Sequence, residues 1–233
     1  MPKQTEETVE IIARIHTDFP TKFGVPRQSG LVDSLKGTII FEPPFRDPSA
    51  FRGIEEFSHL WLIWQFSELS PEEWSPTVRP PRLGGNTRKG VFATRSPFRP
   101  NHLGLSSVKL ERVEWDHPEG PVLHVSGADL MDNTPLFDIK PYLAYTDSHP
   151  EATGSFAGEH SKDRVPVLFP KDLLERLPET HRAAAVAVLE QDPRPAYQQE
   201  GRVYGLSFAG TDIRFQVIDG TLTVTDVIPL SKG

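Results

Sequence analysis

Apolar positions along the chain fall into short runs rich in β-branched and aromatic residues: Val9 to Ile15, Thr38 to Phe41, His59 to Phe66, Gly90 to Arg95, Leu103 to Val113, Val122 to Val125 and Phe137 to Ile139. Several alternate with period two. Val122, His124 and Ser126 against Leu123 and Val125 is the pattern of a half-buried strand. Between the runs stand proline clusters such as Glu42-Pro-Pro, Arg79-Pro-Pro-Arg and Asp192-Pro-Arg-Pro. Proline lacks a backbone donor and fixes φ, so these mark turns and stiff loops. Closely spaced strands without long helices predict a β-barrel or sandwich over about residues 5–145.

From Ser148 to Asp163 the chain is small, polar and aperiodic, which reads as a linker. Two helices are expected next, near Pro170 to Arg176 and Glu179 to Glu190, the second carrying Ala183-Ala-Ala-Val-Ala-Val-Leu, a run of strong helix formers and apolar residues. Three short strands follow, near Arg202 to Ser207, Asp212 to Val217 and Thr221 to Val227, with Ala209-Gly-Thr and Asp219-Gly as hairpin turns. The expected fold class is therefore mainly β: a barrel domain over 1–147, a linker over 148–163 and a small α+β domain over 164–233.

Composition narrows the chemistry. The 233 residues contain no cysteine, which removes disulfides, thiolate metal sites and thiol nucleophiles. No apolar run reaches the roughly 18–20 residues of a membrane span. Met1-Pro-Lys-Gln-Thr-Glu-Glu is polar and acidic, unlike a signal peptide, so a soluble cytoplasmic protein with no membrane contact is expected. There is no HExxH and no close His, Asp and Glu set at metal-ligand spacing, and no metal is expected. The nearest approach to a phosphate-binding loop, Gly85-Asn-Thr-Arg-Lys-Gly, continues into Val91 and Phe92 where lysine and a hydroxyl residue are needed. A GxGxxG turn is missing, so a nucleotide-bearing cofactor would not be held in the Rossmann manner.

The formal charge of −7 argues against a nucleic-acid partner until it is split along the chain. Between Pro76 and Leu110 stand Arg79, Arg82, Arg88, Lys89, Arg95, Arg99 and Lys109 with no Asp or Glu, a block of +7 against −14 elsewhere. That asymmetry points to a local anionic partner, either a polynucleotide or a small phosphorylated or carboxylated molecule. Arginines interleaved with Gly and Pro sit on turns of fixed shape, which suits bidentate recognition of phosphate or carboxylate.

The block contains Gly90-Val-Phe-Ala-Thr-Arg-Ser-Pro-Phe-Arg-Pro-Asn, which resembles the signature of the TsaA-like, or TrmO-type, tRNA methyltransferase family. Four further segments agree in order: Phe23-Gly-Val-Pro-Arg-Gln-Ser-Gly-Leu-Val, Gly53-Ile-Glu-Glu-Phe-Ser-His-Leu-Trp, Asp132-Asn-Thr-Pro-Leu-Phe-Asp-Ile-Lys-Pro-Tyr and Gln191-Asp-Pro-Arg-Pro-Ala-Tyr. The resemblance implies a β-barrel catalytic domain that binds S-adenosylmethionine at a homodimer interface. It implies methylation of N6 of threonylcarbamoyladenosine next to the anticodon, at position 37 of tRNA, with the anticodon loop as partner. An anticodon loop is a curved array of phosphates with splayed bases, which suits the basic block.

Carried over segment by segment, the resemblance implies cofactor contacts from Pro26, Arg27 and Gln28, from Arg95 and Leu105, and from Asp132, Asn133, Thr134 and Pro135. Ser67 and Glu68 occupy a matching place with different side chains. His102 stands where relatives commonly carry proline. The chemistry of S-adenosylmethionine suits these residues: Arg27 or Arg95 could fork its carboxylate, and Asp132 could take the ribose diol or the ammonium. Asp132 could equally be a turn residue bonding its own backbone. Asn101 and Asp138 are the candidate proton acceptor or positioner, with Lys140 and Tyr142 orienting or stabilising negative charge; the alternative is a strand end whose Asp138 and Lys140 simply pair. Arg79, Arg82, Arg88, Lys89 and Arg99 are the candidate tRNA contacts, and Arg99 or Arg82 could read the threonyl carboxylate. Two competing readings remain open: a non-enzymatic RNA-binding barrel presenting Phe92, Phe98 and the arginines, and a methyltransferase of the same fold acting on another substrate.

Overall fold

The structure, a computed structural model, describes residues 7–70, 72–80, 87–155, 163–194 and 201–230. Arg82, part of the expected linker (156–162) and the last residues of Gln191-Asp-Pro-Arg-Pro-Ala-Tyr lie outside them. Six strands close a barrel: β1 (Ala13–Thr17), β2 (Lys36–Phe41), β3 (His59–Gln65), β6 (Leu103–Glu114), β7 (Val122–Ser126) and β8 (Thr134–Pro141), in the order β1-β2-β7-β6-β3-β8. The mainly β architecture expected from the alternation is thus observed.

Period two explains which side of each strand faces inward. β6 buries Gly104, Ser106, Val108 and Leu110 and turns Leu103, Leu105 and Lys109 outward. Ile15, Ile39, Leu60, Leu62, Leu123 and Leu136 meet at full burial inside the barrel. Each such side chain contributes roughly 1.5–3 kcal/mol relative to exposure.

The strand expected over Gly90 to Arg95 is not formed. A two-residue β5 (Lys89–Gly90) pairs with β4 (Thr77–Val78), and Val91–Ala93 then folds as a 3₁₀ turn. The turn wins because its groups find local partners: the Val91 N–H donates to Pro76 O, Thr94 N–H donates to Val91 O, and Arg99 reaches back to the Val91 and Thr94 carbonyls. β1 also starts at Ala13 rather than Val9.

The C-terminal part is a four-stranded sheet, β10 (Tyr204–Phe208), β11 (Thr211–Ile218), β12 (Thr221–Pro229) and β9 (Val167–Leu168), with β9 parallel to β12. Asp219 and Gly220 both take positive φ, 49° and 73°, as the tight hairpin between β11 and β12 requires. Helix α1 (Ala144–Asp147) follows the barrel, α2 (Lys171–Leu174) packs on β12, and α3 (Glu179–Glu190) buries Ala184, Ala185, Val188 and Leu189. This second core is not built from C-terminal residues alone. Phe19, Val32 and Leu35, from the long connection between β1 and β2, are buried in it.

Candidate active site

Antiparallel pairing sets the outward residues of three strands side by side. Leu105 on β6, Ile63 on β3 and Asp138 on β8 form one row, and Ser107, Trp61 and Lys140 form the next. A bulge at Phe137 shifts the register between Ile63 and Trp64, immediately before Asp138. Such irregularities re-aim a side chain relative to the ladder. Asp138 and Lys140 pair at 2.8 Å, and the second Asp138 oxygen takes the Ile139 N–H at 2.9 Å. Both side chains are substantially exposed, so the pairing leaves them open to a ligand.

Strand direction then sorts the predicted residues by barrel end. Ser67 and Glu68 follow β3, Asn101 and Leu105 mark the start of β6, Asp132 to Pro135 lead into β8, and the connection bearing Pro26 to Gln28 leaves the end of β1. All of these sit at one rim. Lys140 lies five residues beyond Pro135, about 16 Å along β8 at the usual strand rise. Tyr142 is farther still, packed on Trp61 and His59 near the start of β3, its N–H donating to His59 O. Within one chain, Asp138 is therefore nearer to that rim than Lys140 or Tyr142.

At that rim the first half of β6 has a partner only in β3, and the connection from β1 fills its free edge. Ser107 N–H donates to Ser29 Oγ at 3.2 Å, and Gly30 N–H to Gly127 O at 2.9 Å. The Arg95 guanidinium bonds the Gln28 carboxamide oxygen, and the Gln28 amide bonds the Arg27 carbonyl. Beneath them lies a polar chain that sequence reading missed. Trp64 Nε1 donates to Ser106 Oγ at 3.0 Å, and Ser106 Oγ donates to Asp129 Oδ1 at 2.6 Å. Burial pushes the Asp129 carboxyl above the usual range, partly offset by the Ser106 hydroxyl and by the charge of Arg95. The available signal was Ser106 at an inward position of an apolar strand and Asp129 set between Ala128 and Leu130.

Asp132 holds backbone, though that of β1 and not that of its own turn, as the alternative reading had it. Its Oδ1 accepts from Thr17 N–H at 3.1 Å and meets His16 Nδ1 at 3.2 Å. Asn133 takes the left-handed conformation at φ 62°, and Thr134 is buried with its hydroxyl on Met131 O. Exposed Ser67 and Glu68 lie in the turn after β3, Glu68 3.5 Å from Lys22. Asn101 is exposed. Its neighbour His102 is buried with φ 49°, a value closed to proline, and Nε2 has no hydrogen-bond partner among the described residues. The His102 backbone instead fixes the loop, accepting from Phe66 N–H at 2.9 Å and donating to Arg99 O at 3.3 Å.

The basic residues divide into those facing solvent and those bracing the loop. Arg79 is exposed beyond β4, Arg88 donates to Thr77 Oγ1 at 2.9 Å, and Lys89 sits half-buried in β5. Arg99 uses Nη1 on Thr94 O at 2.7 Å and Val91 O at 3.2 Å, and its guanidinium lies 5.8 Å from the centre of the Phe92 ring. That ring is 76% exposed, with Trp74 and Phe98 also open to solvent. Among the described residues no group of three or more His, Asp and Glu could hold a metal ion. No described helix is long and apolar enough to cross a membrane. A concavity of about 280 Å³ lined by His16, Asp18, Lys36, Thr38 and His181 shares no residue with the cofactor candidates.

Comparison with known proteins shows the family. A relative from Escherichia coli named tRNA (adenine(37)-N6)-methyltransferase is 40% identical over 229 residues, covering 94% of this chain and 97% of its own. A Pseudomonas aeruginosa relative named putative S-adenosylmethionine-dependent methyltransferase RcsF is 37% identical, covering 89% of this chain and 91% of its own. A crystal structure of TrmO from the same organism superposes with a TM-score of 0.79 at 31% identity, covering 98% of this chain and all of that one. Residues 14–148 match the tRNA-methyltransferase O N-terminal domain and residues 162–230 the TrmO C-terminal domain, so the chain belongs to the tRNA-methyltransferase O family.

Proposed function

We propose that this protein methylates N6 of adenosine 37 in tRNA, in its threonylcarbamoyl form, using S-adenosylmethionine, and that it works in the cytoplasm as a homodimer. The observation that carries this reading is the gathering of the Pro26–Gln28 turn, Arg95, Leu105 and the Asp132–Pro135 turn at one barrel rim, beside the row that ends in Asp138. These groups suit the cofactor. Both contacts of Asp132 fall on Oδ1, leaving Oδ2 to take a ribose diol or an ammonium. Arg95, held by Gln28 through one nitrogen, has others for a carboxylate. Leu105 is 56% exposed and offers an apolar surface for the adenine.

Bound S-adenosylmethionine supplies an electrophilic methyl group. The chain's task is then position and proton removal. The acceptor nitrogen is delocalised into both ring and carbamoyl group, so it is a poor nucleophile. Holding it in line at about 3–3.5 Å supplies much of the rate, since orientation alone is worth about 7–11 kcal/mol. Asp138 would take the departing proton, with Asn101 aligning the acceptor and Lys140, 2.8 Å from Asp138, balancing charge. Arg79, Arg82, Arg88 and Lys89 would carry the anticodon-loop phosphates, while Arg99, committed to two carbonyls, shapes the loop and backs Phe92.

Two features support the homodimer. Exposed Leu103 and Leu105 adjoin half-buried Ile63 and Trp61 on one outward face, an apolar patch suited to a second copy. Tyr142, beyond the end of β8 and far from the rim of its own barrel, would reach that of a partner across a two-fold axis. Titration calorimetry with S-adenosylmethionine tests the reading: the native protein should bind it and Arg95→Ala should bind it far more weakly. No heat from the native protein would leave a non-enzymatic RNA-binding barrel.

A further inference from the structure

The connection between β1 and β2 touches the proposed cofactor rim at four places. Phe19 O accepts from Asp132 N–H at 2.8 Å, Lys22 pairs with Glu68 at 3.5 Å, Gln28 bonds Arg95, and Ser29 accepts from Ser107 N–H at 3.2 Å. This strip forms no strand or helix of its own, so its shape must come from what lies behind it. What lies behind is the C-terminal sheet. Phe19, Val32 and Leu35 are buried in that sheet's core, with Phe23 and Val25 packed against it. Phe23 and Tyr204 of β10 lie nearly parallel, 9° apart with centroids at 6.5 Å. Gly24 has φ 89°, and a Cβ there would overlap Leu206 Cδ1, so backbone and sheet are in direct contact. Ala209 N–H donates to Asp18 O at 3.1 Å, and His181 of α3 pairs with Asp18 at 3.3 Å.

We infer that the C-terminal domain serves as the backing plate of the cofactor site, and that Tyr204 is a positioning residue that fixes the Pro26–Gln28 turn through Phe23. The inference rests on the proposed cofactor role of that turn. Phe23 is three residues from Pro26, so a shift at the ring is delivered to the turn within about 10 Å of chain. Charge disfavours a second role as the main phosphate-binding surface: residues 164–233 hold eight Lys and Arg against nine Asp and Glu.

Five proteins test it: native, Tyr204→Ala, Tyr204→Phe, Phe23→Ala and the double variant Phe23→Ala with Tyr204→Ala. Affinity for S-adenosylmethionine is read by calorimetry, KM for tRNA by turnover, and the backing of the turn by hydrogen exchange at residues 22–28. Tyr204→Ala should bind the cofactor about tenfold more weakly, equivalent to about 1.4 kcal/mol, and exchange faster at 22–28 while its tRNA KM stays native. Tyr204→Phe, which keeps the ring, should restore both. Phe23→Ala, made from the other side of the contact, should match Tyr204→Ala, and the double variant should lose nothing further. Native cofactor affinity in Tyr204→Ala, additive losses in the double variant, or a change confined to tRNA KM would overturn the inference. A native protein that binds no S-adenosylmethionine would overturn the functional reading instead, and exchange at 22–28, which needs no ligand, would still decide the backing role.

Discussion

Asp138 shows how a single carboxylate can be both a strand-end ion-pair partner and a candidate for proton removal. Its oxygens meet Lys140 and the Ile139 N–H, yet 44% of its side chain is open to solvent. An exposed pair of this kind is worth about 0–1 kcal/mol. Asp138→Asn should therefore leave the unfolding temperature nearly native and S-adenosylmethionine affinity unchanged while lowering turnover about 10²–10⁴-fold; native turnover in a steady-state assay would remove Asp138 from the mechanism. What a side chain touches was illegible in the sequence where neighbours decide it. Arg99 reads as a free cation in the sequence, but the fold spends it on the Val91 and Thr94 carbonyls and on the Phe92 ring. Asp129 attracted no notice, because its importance comes from burial beneath Arg95 and not from any spacing.

Elements were legible in proportion to their periodicity. The alternation of Val122 to Ser126 and the Asp219-Gly turn give β7 and the β11–β12 hairpin directly, and α3 spans the expected Glu179 to Glu190. The strand expected over Gly90 to Arg95 failed because local hydrogen bonds favoured a 3₁₀ turn, a competition that composition does not reveal. β9 is two residues long, too short to show any period. β6 contains a feature that only the packed structure explains. Gly104 has no Cβ because the Trp64 indole lies directly over it, reaching Ser106 and through it Asp129. Gly104→Ala should force the ring and β6 apart, costing about 1–3 kcal/mol of overpacking, read as a lower midpoint in denaturant unfolding. A native midpoint would show that the barrel yields there without strain.

At the scale of the molecule, the sequence separates a barrel from a C-terminal unit, but it does not show that the two share the strip between β1 and β2. That strip lies early in the chain and packs on strands that come last, a long-range contact with no local signature. Net charge misleads in the same way, since −7 overall conceals a +7 block between Pro76 and Leu110. The central claim is methyl transfer to threonylcarbamoyladenosine at position 37, and mass spectrometry of nucleosides tests it most directly. Transfer RNA carrying the modification, incubated with the protein and S-adenosylmethionine and then digested, should yield threonylcarbamoyladenosine heavier by one methyl group. Cofactor consumed with that nucleoside left at its original mass would contradict the account.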